Sequence, residues 1–205
     1  MSHNRRSIVV PAMLSMLMAV ADATTVSAQT APVDRTVAAI RAQYDEIGRR
    51  IRQSEARKPD EVYGVGIVRS ELVINKDGEP WRAVGFYRIV YTFWFHEGGE
   101  PAQGAFPKRL RKATVASRIS SRKYYQEFFY DQAGALVFHF RRAEEDDKPV
   151  ELRLYLDKGR AIRVIVDRSP RDVLTPDDAQ LARDATAKGN ELRRLFDSST
   201  MAPVD

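Results

Sequence analysis

The chain reads as an α+β domain, a single antiparallel meander sheet of about six or seven strands with an N-terminal and a C-terminal helix packed on one face. Three observations predict it. Apolar residues recur at steps of three and four from Val37 to Ile51 and again from Leu181 to Phe196. Between Tyr63 and Asp167 the period changes to two, and β-branched and aromatic residues rise. The turns between those stretches are so short that neighbouring strands must run antiparallel.

The first 28 residues read as a targeting segment rather than as part of that domain. Arg5 and Arg6 make a basic start, Ile8 to Val20 is an apolar run of 13 residues, and Val26-Ser27-Ala28 supplies a cleavage site after Ala28. The run would span about 20 Å as a helix, short of the roughly 30 Å of a bilayer core, so it reads as a signal peptide and not as an anchor. The expectation is a periplasmic or secreted protein with no transmembrane segment in the mature chain. Arg5-Arg6-Ser7-Ile8-Val9 has the twin-arginine outline without choosing between export routes.

Residues 29–205 then form one domain, with 29–33 a loose leader and 198–205 a loose tail. It is large enough to bury a core without staples, which fits the complete lack of cysteine in a compartment that permits disulfides. That lack also removes thiol catalysis. Cleavage takes Arg5, Arg6 and Asp22 out of the 33 basic and 28 acidic residues, a mild basic excess that favours anionic partners without selecting one.

Along the domain, Asp34 is placed to cap a helix whose stripe is Val37, Ile40, Tyr44, Ile47 and Ile51, ending near Ala56 before Pro59. Strands are expected over Val65 to Ile74, Trp81 to Phe95, Thr114 to Ser120, Lys123 to Tyr130, Ala135 to Arg141, Val150 to Leu156 and Ala161 to Val166. Asn75 to Gly78, Asp131 to Gly134 and Asp157 to Gly159 each set an Asp shortly before a Gly that can take positive φ. Tyr87 to Phe95 is apolar on nearly both faces and reads as the central strand. Leu152, Leu154 and Leu156 share one face, as do Ile162, Val164 and Val166, which suggests one covered and one wetter side. Thr175-Pro176-Asp177-Asp178 is a capped helix start, and Gly189 suggests a bend or fraying later in that helix.

Two hairpins repeat at an offset of about 26 residues: Phe128-Phe129-Tyr130-Asp131 before Gly134 and Leu136-Val137-Phe138, and Leu154-Tyr155-Leu156-Asp157 before Gly159. Together with the helix reading Ile40-Arg41-Ala42-Gln43-Tyr44-Asp45-Glu46-Ile47, they make the chain resemble a widespread group of uncharacterised secreted bacterial proteins that pair an N-terminal amphipathic helix with such hairpins. The resemblance covers about two thirds of the mature chain. It implies the fold and export but carries no activity, cofactor or site residue.

The residues themselves offer little chemistry. After cleavage only His96 and His139 remain, on different strands, and His139 alternates with Phe138 and Phe140 as though facing away from the core. No zinc set, Gly-x-Ser-x-Gly elbow or calcium loop is present, so no metal, cofactor or catalytic residue is assigned. Glu144-Glu145-Asp146-Asp147 reads as a solvated turn. The most informative polar feature is Lys108, Arg109, Arg111, Lys112, Arg118, Arg122 and Lys123, interleaved with Tyr124 and Tyr125 in a long excursion from Glu97 to Lys123. The expected function is a non-catalytic binding module that contacts an anionic envelope component, such as lipopolysaccharide or phospholipid head groups, or an acidic protein, through that stretch. The alternatives are a small hydrolase with dispersed carboxylates and a carrier of an apolar ligand. Nucleic acid is not expected for an exported chain.

Overall fold

The computed structural model describes residues 24–56, 66–83, 85–97, 108–145 and 148–200. They form helix α1 (Thr24–Glu55), strands β1 (Ile67–Ile74), β2 (Tyr87–Glu97), β3 (Lys108–Ile119), β4 (Arg122–Tyr130), β5 (Leu136–Glu145), β6 (Lys148–Asp157), β7 (Arg160–Val166) and β8 (Ser169–Arg171), and helix α2 (Pro176–Thr200). The strands make one antiparallel sheet in the order β1 to β8, a meander as expected, with the short β8 as an addition. The expected signal peptide lies mostly outside the described residues, and so does most of the expected loose tail.

The helices lie on opposite faces of the sheet, not on one. Val37, Ile40, Ile47 and Ile51 of α1 pack with Phe129, Phe138, Tyr155 and Ile165. Ala182, Ala185, Leu192 and Phe196 of α2 pack with Phe128, Leu154 and Val164, among others. Adjacent strand residues point to opposite faces, so Phe128 with Phe129, Leu154 with Tyr155 and Val164 with Ile165 each feed both cores. Two greasy helical stripes therefore require two greasy sheet faces. The single covered face inferred from the leucine alternation overlooked those doublets.

Three β-bulges add to the same effect. Arg111, Val137 and Ile162 are extra residues on β3, β5 and β7, opposite the steps Trp94/Phe95, Phe129/Tyr130 and Tyr155/Leu156. Val137 and Ile162 pack on the α1 side, and the Arg111 guanidinium lies 5.9 Å from the Phe129 ring centroid on that side too. Ile162 thus parts company with Val164, although strict alternation would join them.

Both helices cross the same end of the strands. α1 is tied to β7 by Asp34 to Arg163 at 2.7 Å, to β6 by Arg41 to the Tyr155 hydroxyl at 3.0 Å, and to β1 by the Ser54 hydroxyl donating to the Ile67 carbonyl at 2.6 Å. α2 starts on β8, where buried Asp178 takes 2.7 Å contact from Arg171 and accepts from Thr175 in the expected cap. It ends with Phe196 against Phe93 and Phe95 of β2. α2 runs unbroken through Gly189. That glycine is a close approach, where the Tyr130 hydroxyl donates to its carbonyl at 2.8 Å and an added Cβ would sit 3.1 Å from Leu136.

Several local expectations shift. α1 begins ten residues before Asp34 and passes through Pro32, so Asp34 is an anchor to Arg163 instead of a cap, and residues 29–33 are helical. A proline inside a helix forfeits one ladder bond without ending it when its neighbours stay helical. β2 is the second strand from an edge and not central. β3 starts at Lys108, so much of the expected cationic loop is strand. Glu144 and Glu145 belong to β5 and not to a turn.

Candidate functional site

Burial along the strands falls off beyond the helices. On β3 the buried run ends at Val115, and on β4 it begins only at Glu127. The far ends of the strands, with the β1–β2 and β3–β4 turns, therefore project past both helices. On the α1 side of this projecting half lies a hollow of about 560 Å³, lined by Phe86, Arg88, Ala116, Arg118, Lys123, Tyr125, Phe140 and Arg142, among others. Its size is ordinary for a small-molecule site.

The register explains how the hollow is built. Val90, Ala116, Tyr125 and Arg142 stand side by side on β2 to β5, and Ala116 leaves a gap between two larger neighbours. One row further out, Arg88, Arg118, Lys123 and Glu144 follow one another across the same strands. Three cations directly opposite one another repel, at a cost of a few tenths of a kcal/mol or more for each contact. Glu144 relieves Lys123 alone, at 3.2 Å. Arg118 lies over Phe86, 4.9 Å from the ring centroid. Among the described residues no carboxylate comes within ion-pair distance of Arg88, Arg118 or Arg142.

Between this hollow and α1 lies a polar knot around Glu127, which is 9% exposed. Its carboxylate accepts from the Tyr125 hydroxyl at 2.6 Å, from the Tyr44 hydroxyl of α1 in a short contact, and from the Lys112 ammonium at 2.9 Å. Burial alone would raise the Glu127 carboxyl, but the Lys112 charge and the hydrogen bonds outweigh it and hold the group below the usual carboxylate range. Burial, reinforced by the bonds to Glu127, pushes both tyrosines well above the ordinary phenol range. Holding donors from α1, β3 and β4 at once, Glu127 anchors α1 to the sheet. A second hollow of about 320 Å³ beside it, lined by Ile40, Arg41, Asp45, Phe138 and Arg153, shares Phe140 with the first.

The structure does not gather the seven cations singled out in the sequence. Lys108 and Arg109 lie at the helix end of β3, beside a 180 Å³ hollow that also has Arg193 and Asp197 in its wall. Arg111 is buried, donating from Nε to the Tyr130 carbonyl at 3.2 Å, and Lys112 is committed to Glu127 and Tyr44. Arg122 is exposed at the start of β4, next to the β3–β4 turn. Only Arg118 and Lys123 line the large hollow. Its other cations, Arg88 on β2 and Arg142 after Arg141 on β5, lie outside that basic run, and only the pairing register brings Arg88 beside Arg118 and Arg142 into the adjoining row.

His139 also departs from expectation. It is 6% exposed on the α2 side, stacked on Phe128 with ring centroids 4.6 Å apart, its Nε2 3.2 Å from Gln126 and its Nδ1 without a partner among the described residues. Burial, helped by Arg141, lowers its pKa to about 4. Phe138 and Phe140 face the other core, so alternation put His139 correctly opposite them, but that side is covered as well.

Comparison with known proteins finds no match to a protein-family model, to a curated protein or to a solved structure.

Proposed function

We propose that this chain is an exported, non-catalytic binding module, allied to the secreted bacterial group it resembles, that holds an anionic ligand with a flat apolar body in the 560 Å³ hollow. The observation that carries the reading is the outer row of Arg88, Arg118 and Lys123, joined by Arg142 one row inward and set over Tyr125, Phe140 and Ala116. An anion seated in the hollow would relieve that cross-strand repulsion, and a cleft lined by one sign of charge concentrates such anions. The aromatic floor favours a ligand with a ring or chain behind its charge, such as an anionic envelope amphiphile. Among the described residues no helix is long and apolar enough to cross a membrane.

Export is supported from the sequence side and by one feature of α1. Cleavage after Ala28 would leave Pro32 in the first turn of the helix, where its missing N–H costs nothing. N-terminal sequencing of protein recovered from the periplasm or medium should begin at Gln29, and an uncleaved Met1 would overturn the export reading.

Binding is tested with 8-anilinonaphthalene-1-sulfonate against the neutral N-phenyl-1-naphthylamine. Saturable fluorescence with the sulfonate, weaker by about tenfold or more in affinity for the R118S/R142S double variant, is the expected result. Ala116→Phe should fill the gap and abolish the signal at unchanged melting temperature. Equal response to both probes, or binding indifferent to these substitutions, would refute the site.

A further inference from the structure

The two edges of the sheet are treated very differently. β8 is three residues long, contains Pro170, and follows Asp167 and Arg168, both at positive φ. Such an edge is short and kinked, and it cannot template another strand. β1 is eight residues long, free of proline and glycine, and pairs with β2 on one side. Among the described residues no strand covers its other side.

The sequence of β1 is complementary to itself when reversed about Ser70. Arg69 and Glu71 flank the centre, Val68 and Leu72 come next, and Ile67 and Val73 follow. We infer that β1 is a self-pairing interface, through which two copies of the chain join antiparallel about a two-fold axis at Ser70 and continue the sheet from one copy into the other. In that register Arg69 of each copy stands opposite Glu71 of the second copy. Val68 stands opposite Leu72 of the second copy on the other face.

The side chains are disposed for this. Arg69 and Glu71 are 52% and 36% exposed on the α1 side, already in contact with each other at 2.6 Å, so pairing would assemble four alternating charges. On the opposite face Val68 and Ile74 are each 38% exposed, an apolar border beyond the reach of α2. Opposite charges and β-branched pairs directly across an antiparallel ladder each add a few tenths of a kcal/mol to about 1 kcal/mol, and every such pair occurs twice in a two-fold interface. The backbone groups along the edge that no described strand covers supply the rest.

Charge reversal tests the register. Sedimentation velocity over a dilution series should show the wild-type protein passing from monomer to dimer. R69E alone, or E71R alone, should set like charges opposite one another and raise the midpoint concentration by about tenfold or more. The R69E/E71R double swap restores complementarity and should restore the dimer. All three variants change exposed side chains, so unchanged circular-dichroism melting verifies their fold. A wild-type chain that stays monomeric to about 0.5 mM, single variants that dimerise as well as wild type, or a double variant that stays monomeric would each overturn the proposal.

Discussion

The two ends of the strands are built to opposite rules. At the helix end both faces are covered, aromatic and aliphatic side chains interleave from Phe93 to Phe196, and the largely buried charges Lys112, Glu127, Arg163 and Asp178 are paired. At the projecting end the same strands carry arginines side by side without described counter-ions, around a gap left by one alanine. The first end stores the stability of the fold. The second holds charge at the expense of stability, and the contrast teaches where to look for function in a chain with no catalytic signature: where the sheet tolerates a repulsion that it could have avoided.

That division makes predictions that break or sharpen it. The largest effect belongs to Ile47→Asp, which puts an unpaired charge between α1 and the sheet and should remove more than about 4 kcal/mol, leaving the domain unfolded in a urea titration. A mutant with wild-type melting would show that α1 is not part of the core. Next, Leu154→Ala on the α2 side should cost about 3 kcal/mol by chemical denaturation while leaving sulfonate-probe affinity intact. Coupled loss of affinity would mean that the two ends are not separable.

A pH titration separates them by a third route. His139 is neutral in the fold with a pKa near 4, whereas the unfolded chain binds its proton from the ordinary value near 6.5. Its contribution is therefore full above about pH 6.5 and is lost as pH falls toward 4. Between pH 7 and 5 wild type should lose about 2 kcal/mol that the His139→Gln variant keeps; parallel pH curves for the two proteins would contradict the buried neutral ring. The smallest expected change is in the stability of R118S/R142S, which should stay within about 0.5 kcal/mol of wild type or rise slightly, because relief of repulsion offsets whatever packing is lost. A large destabilisation would assign those arginines to the core instead of to a ligand.

Much of the fold was legible in the sequence, and each failure has a physical source. The meander followed from the Asp-to-Gly turns, where Gly134 and Gly159 do adopt positive φ and the Asp131 carboxylate accepts from the Ala135 amide. The α2 start followed from Thr175 and Pro176. The placement of the helices did not follow, because alternation was read from leucines while Phe128-Phe129 and Val164-Ile165 were already reporting burial on two faces. The hollow was half legible. Arg118 and Lys123 belong to a dense basic run, but Arg88 and the Arg141-Arg142 pair lie far from it along the chain, and no spacing rule within one strand can find neighbours that exist only across strands.

Arg111, Val137 and Ile162 give the last point its wider meaning. Each extra residue advances the in-and-out rhythm of its strand by one beat within the helix-covered end, so that Leu110 with Ala113, Leu136 with His139 and Ala161 with Val164 share the α2 side although each pair stands three apart. Deleting any one of the three would turn over the short stretch before it and carry Leu110, Leu136 or Ala161 away from α2.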